Sequence, residues 1–131
     1  MDRRAFLLGS LLSTTALSSV EAASVIRMIY VGGWDCPWCT VWKRDSKAQW
    51  LASPEFKQVI YTEIDSPKLR EAYQERFWPG ELKTVLDQIP RKSGTPRFIV
   101  VKDGKIISNQ FGSSPGSWQT AYADLKKALA T

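Results

Sequence analysis

Apolar positions along this chain fall into short runs and stripes separated by turn residues. Val25 to Val31 reads Val-Ile-Arg-Met-Ile-Tyr-Val and stops at Gly32-Gly33, a β-branched and apolar run that predicts a buried strand ending in a tight turn. Trp38 to Leu51 contains neither proline nor glycine, and Trp42, Ser46, Gln49 and Trp50 can line one side, which predicts a helix. Val59 to Ile64 mixes Val, Tyr and Ile with polar partners and reads as a second strand. Pro67 suits the first turn of a helix reaching about Phe77. After the break at Trp78-Pro79-Gly80, Leu82, Val85, Leu86 and Ile89 recur at helical spacing, so Glu81 to Ile89 is expected to be a second helix.

Arg97 to Lys102 and Ile106 to Phe111 flank Asp103-Gly104, a dipeptide favoured in tight hairpins, and are expected to pair antiparallel. A last helix from about Pro115 to Ala130 carries Trp118, Ala121, Tyr122, Leu125 and Leu129 on one stripe, which would pack it on the sheet. The expected order is strand, helix, strand, two helices, strand, strand, helix, with no internal repeat.

The first 22 residues stand apart from this pattern. Met1 to Ala22 has a basic start, an apolar middle from Phe6 to Leu17 and small residues before a cut after Ala22, the layout of an export signal. Arg3-Arg4-Ala5-Phe6-Leu7 resembles the twin-arginine export signature, although Asp2 stands where that signature usually has serine or threonine. Ser10, Ser13, Thr14 and Thr15 dilute the apolar run, which is shorter than the roughly 20 residues a spanning helix needs, so no stable membrane anchor is expected. The division is then an export signal over 1–22 and one mature domain over 23–131, placed in the periplasm.

With 131 residues, the chain has room for one domain and one core. Its net charge is +5, but cations alternate with acids, as in Lys43-Arg44-Asp45 and Lys68-Leu69-Arg70-Glu71. Phosphate binding needs cations gathered on one face, so no nucleic-acid partner is expected. Histidine is absent, which removes the commonest general base and the commonest transition-metal ligand.

Both cysteines of the chain lie in Cys36-Pro37-Trp38-Cys39, directly after the first strand and at the start of the first helix. A helix amino terminus stabilises a thiolate through free N–H groups and the positive end of its dipole, and only the thiolate attacks a disulfide. Cys36 would lie just ahead of the first turn, with Pro37 at the first helical position. Cys36 is therefore expected to be the attacking nucleophile and Cys39, less exposed, the resolving thiol. Other chemistries are weaker. A purely structural bridge over so short a loop constrains the unfolded chain little, zinc would need further ligands, and c-type haem attachment would need histidine where Thr40 stands.

A second motif, Gly94-Thr95-Pro96, precedes the strand Arg97 to Val101. Together with cysteines on a strand-to-helix turn it resembles the thioredoxin-like family. The resemblance implies an α/β thioredoxin-like fold, a central mixed four-stranded sheet flanked by helices. It further implies that Pro96 is a cis proline beside the cysteines and that the backbone of Thr95 pairs with an extended substrate segment. A proline that merely starts an edge strand is the alternative. The chain departs from thioredoxins proper, which have Trp-Cys-Gly-Pro-Cys, because Asp35 separates Trp34 from Cys36 and the inner pair is Pro-Trp. The long helical connection and the Ser-Pro-Gly loop look somewhat like the small periplasmic thioredoxin-like proteins of sulfur oxidation and cytochrome maturation.

Asp35 is a candidate for tuning the redox centre, since a carboxylate beside Cys36 opposes its thiolate and disfavours a strong oxidant. Trp38, between the cysteines, offers an aromatic face to an apolar substrate segment. Lys43 and Arg44 are expected to be solvated. The expected function is exported thiol-disulfide exchange, with reduction of the partner slightly favoured and no cofactor. Its partners would be cysteine-containing periplasmic proteins and a thiol-disulfide electron donor, soluble or membrane-bound. A disulfide oxidase or isomerase and a copper(I) carrier using both thiolates are the alternatives.

Overall fold

A computed structural model describes residues 24–113 and 115–131; the expected export signal lies outside the described residues. Strand β1 (Ile26–Gly33) leads into α1 (Pro37–Asp45) and α2 (Lys47–Ala52), followed by β2 (Ile60–Ser66). A long connection containing α3 (Lys83–Leu86) reaches β3 (Arg97–Lys102), β4 (Lys105–Phe111) and the closing helix α4 (Gly116–Leu129).

The four strands form one mixed sheet in the order β2-β1-β3-β4. β1 runs parallel to β2, pairing Val31 with Ile64, and antiparallel to β3, pairing Val31 with Arg97. β3 is therefore an inner strand, and Pro96 does not start an edge. The hairpin joining β3 to β4 turns at Asp103 and Gly104 with φ of 50° and 81°, the doubly positive geometry for which an Asp-Gly pair is suited.

Side chains of a strand alternate between faces, and here the alternation divides the core in two. Met28, Tyr30, Phe98 and Val100 join the cluster under α1, α2 and α4, which includes Trp42, Trp50 and Trp118. Ile29, Val31, Ile99 and Val101 join the opposite cluster under the long connection, with Tyr73, Trp78, Leu82 and Leu86. The central strands are thus apolar at nearly every position because both their faces are covered.

Two helical expectations are corrected. The stretch from Pro67 to Phe77 forms only the 3-10 turns Leu69–Glu71 and Glu75–Phe77, with Gln74 extended between them at φ −74° and ψ 135°. That break leaves the Tyr73 carbonyl free to accept from Arg91 at 3.0 Å and lets the Trp78 indole donate to Ala72 O at 2.8 Å. Isolated helices this short are marginal, so tertiary bonds override the local pattern. Glu81 to Ile89 likewise reduces to a 3-10 turn and the four residues of α3, although Leu82, Val85, Leu86 and Ile89 are all buried as their spacing predicts. The first helix is also divided. Ser46 leaves helical geometry (φ −128°, ψ −28°), and both Trp42 and Trp50 are buried while Gln49 is exposed.

Candidate active site

The cysteine turn is fastened to the end of β2, to the segment after it and back to β1. Trp34 N–H donates to Ser66 O at 2.9 Å, Leu69 N–H donates to Asp35 Oδ1 at 2.7 Å, and Cys36 N–H donates back to Gly33 O at 3.2 Å. Gly33 permits this approach, because a methyl there would stand 2.6 Å from the Leu69 backbone. Asp35 thus has a structural partner that the sequence did not reveal: its carboxylate ties the turn preceding Cys36 to the segment after β2.

Cys36 is the N-cap of α1 with Pro37 next to it, as the spacing predicts, and its sulfur accepts from Cys39 N–H at 3.2 Å. No acidic residue lies in the first turn of α1, so the positive end of the helix acts on the Cys36 sulfur unopposed from within the helix. The two cysteines are joined as a disulfide, with Cα atoms 5.2 Å apart.

Exposure does not separate the two thiols as expected. Cys36 is 2% and Cys39 1% exposed, and both belong to the core cluster. What distinguishes them is position on the helix, Cys36 capping it and Cys39 lying within its first turn. The surroundings differ sharply: Trp34 is 69% and Trp38 53% exposed, so two indoles flank a buried disulfide in the chain.

The bond between Thr95 and Pro96 is cis. Since Val31 pairs with Arg97, the proline lies at the end of the sheet where Gly32-Gly33 lead into the cysteine turn. Its loop is clamped from the opposite core. Tyr73 Oη donates to Gly94 O at 2.6 Å and accepts from Arg97 Nε at 3.0 Å, while Gly112 N–H donates to Pro96 O at 3.1 Å. A side chain on Gly94 would run into the Phe111 ring, over which the Arg97 guanidinium sits 5.1 Å from the centroid. Burial raises the Tyr73 phenol to about 12, even though the neighbouring Arg97 pulls it down.

Beneath the disulfide lies an aromatic floor. Tyr30 stacks on Trp42 with centroids 4.7 Å apart, and Trp42 meets Phe98 at 5.2 Å and Trp118 at 5.3 Å. Lys43, expected to be solvated, is half-buried: it is ion-paired to Asp65 of β2, and its Nζ stands 5.7 Å from the centre of the Tyr30 ring. Arg44 does lie on the surface, paired with Asp45. Burial, then the negative charges of Asp65 and Glu63, push the Tyr30 phenol well above its ordinary value.

Sequence reasoning passed over Tyr30, Asp65 and Tyr73. Tyr30 had a usable signal, since it shares a strand face with Gly32 and is polar at its tip in a run that is otherwise apolar but for Arg27. Tyr73 had none, because its partner Gly94 is 21 residues away.

No protein-family model matches the chain, and no curated protein sequence matches it. Among solved structures, it is similar to the crystal structure of the periplasmic thioredoxin SoxS from Paracoccus pantotrophus in its reduced form. The TM-score is 0.56 at 13% sequence identity, over 79% of this chain and 98% of the other. That likeness gives the fold: thioredoxin-like, a mixed four-stranded sheet flanked by helices.

Proposed function

We propose that the chain is an exported thiol-disulfide oxidoreductase that exchanges the Cys36–Cys39 disulfide with cysteines of partner proteins. The observation carrying this reading is the juxtaposition at one end of the sheet of a disulfide at a helix amino terminus and a cis Thr95–Pro96 peptide. In the reducing direction, which we favour slightly, the Cys36 thiolate attacks a partner disulfide and one partner sulfur leaves as thiolate. Cys39 then attacks Cys36 Sγ, releasing the second partner thiol and closing the disulfide. An upstream dithiol returns the two electrons.

In this reading the Thr95 backbone pairs with an extended partner segment beside Pro96, and Trp38 packs on its apolar side chains. Export to the periplasm is supported by the basic and apolar segment over 1–22 and by the periplasmic setting of the similar thioredoxin. Among the described residues, no helix is long and apolar enough to cross a membrane.

Replacing Cys36 with serine and assaying reduction of a protein disulfide tests the mechanism. Activity should vanish, and retained activity would overturn the assignment. The Cys36–Cys39 reduction potential then fixes direction: a value near thioredoxin's roughly −270 mV supports a reductant, and one near roughly −120 mV makes the protein an oxidase.

A further inference from the structure

The Tyr30 hydroxyl is fully buried and, among the described residues, has no hydrogen-bond partner. Its place is next to the disulfide. A methyl group added to Gly32 would overlap the Tyr30 hydroxyl and stand 3.0 Å from Cys39 Sγ, so oxygen and sulfur both lie close to a single point. Leaving a donor orphaned in a core is costly, and a buried group in that state calls for a reason.

The groups facing Tyr30 decide what it can do. Asp65 and Glu63 on β2 place negative charge towards it, Lys43 on α1 lies over its ring while paired to Asp65, Trp42 stacks on the ring and Phe98 packs tilted against it. Burial and carboxylates both oppose a phenolate. The hydroxyl therefore keeps its proton and is a donor, without an acceptor while the sulfurs are joined. A thiolate on Cys39 would supply one, since hydrogen bonds to ionised acceptors are the strong ones.

We propose that Tyr30 is the hydrogen-bond donor that receives the charge appearing on Cys39 when the Cys36–Cys39 disulfide opens. The proposal rests on the exchange reading above and adds a residue to it. In the opening step a thiolate of a dithiol donor attacks Cys36 Sγ. A donor–Cys36 bond forms, the Cys36–Cys39 bond breaks, and its electron pair leaves on Cys39 as thiolate. Tyr30 turns its O–H towards that sulfur and keeps the proton. The donor's second thiol then attacks the mixed disulfide, so the donor ends as a disulfide and Cys36 and Cys39 as a dithiol. In the reverse direction the same hydrogen bond holds Cys39 in the thiolate form that resolves the mixed disulfide.

Tyr30→Phe keeps the ring and its stack on Trp42 and removes only the hydroxyl. Two readouts are taken with and without this change: the rate at which dithiothreitol opens the disulfide, and the titration of Cys39 by thiolate ultraviolet absorbance in a Cys36→Ser background. A leaving thiol departs more slowly as its pKa rises, so opening should slow by up to roughly tenfold and the Cys39 titration should move up by roughly one unit. The oxidised variant should melt no lower than the parent, because it loses an orphaned donor. The reduced variant should melt lower once Cys39 is ionised, whereas a merely structural hydroxyl would shift both forms alike.

An unchanged Cys39 titration in a folded variant overturns the proposal, as does equal destabilisation of both redox forms. Should Tyr30→Phe fail to fold, a ring-fluorinated tyrosine placed at position 30, a stronger donor, must lower the Cys39 pKa, and no shift overturns the proposal equally. If the parent neither reduces a protein disulfide nor oxidises a protein dithiol, the exchange reading fails instead, while the Cys39 titration still reports on Tyr30.

Discussion

Tyr73→Phe deletes one oxygen atom from a side chain that is 3% exposed and holds the loop before the cis proline. The hydroxyl donates to Gly94 O and accepts from the Arg97 guanidinium. A neutral buried hydrogen bond contributes about 1 kcal/mol and one to a charged group somewhat more. Arg97 retains Asn109 Oδ1 at 2.7 Å as a second partner, so the combined loss at neutral pH should be about 2 kcal/mol. Burial raises the folded Tyr73 phenol from 10.0 to about 12, so the unfolded chain releases this proton first. Tyr73 therefore contributes stability that is whole below pH 10 and is lost as pH rises towards 12. By about pH 11 that loss is about 1.4 kcal/mol, and the variant, lacking the phenol, does not suffer it. Tyr30 and Tyr61 are raised too, but they titrate in both proteins and cancel in the difference. Urea unfolding followed by tryptophan fluorescence should show a wild-type advantage of about 2 kcal/mol at about pH 8, shrinking to under about 1 kcal/mol at about pH 11. An advantage that stays constant or widens with pH refutes the argument. Exchange with a protein disulfide should also slow, while reduction of Cys36–Cys39 by a small dithiol, which needs no strand pairing at Thr95, should not.

Three further substitutions separate roles at the cysteine turn. Asp35→Ala removes the acceptor for Leu69 N–H and should cost about 1 kcal/mol in urea unfolding. Asp35→Asn keeps an acceptor oxygen but not the charge, so a lower Cys36 titration in that variant isolates the redox-tuning role, and an unmoved titration leaves Asp35 only as a tether. Trp38→Ala, at an exposed position, should leave the melting temperature within a few degrees and raise KM for a protein disulfide roughly tenfold through lost aromatic contact; an unchanged KM removes Trp38 from the partner surface.

The parts of this fold readable from sequence are those whose signals are local. The β1 run, the Asp103-Gly104 hairpin and the stripe of α4 each carry their pattern within a short stretch of chain, and Pro37 after Cys36 marks the helix start where the cysteines sit. The connection from Pro67 to Ile89 departs from the helices expected of it because Tyr73 is committed to distant groups, its carbonyl accepting from Arg91 and its hydroxyl donating to Gly94 O. Lys43 was misread for the same reason: nothing near it in sequence announces Asp65, 22 residues on.

That difference in reach has a consequence for the site. The cysteines hang from the layer containing Trp42 and Trp118, whereas the proline loop is held by Tyr73 from the layer on the other side of the sheet. Neighbouring inner strands β1 and β3 are where the two halves meet, through the Val31–Arg97 pair. Changes in either layer can therefore displace one half of the exchange centre against the other without touching a sulfur. Chemistry at the disulfide itself should answer to Tyr30 and the α1 dipole, and partner pairing should answer to Tyr73 and Arg97. A variant of Tyr73 that altered the reaction with small dithiols as much as with protein disulfides would contradict this separation, because no bond of Tyr73 reaches the face on which the cysteines pack.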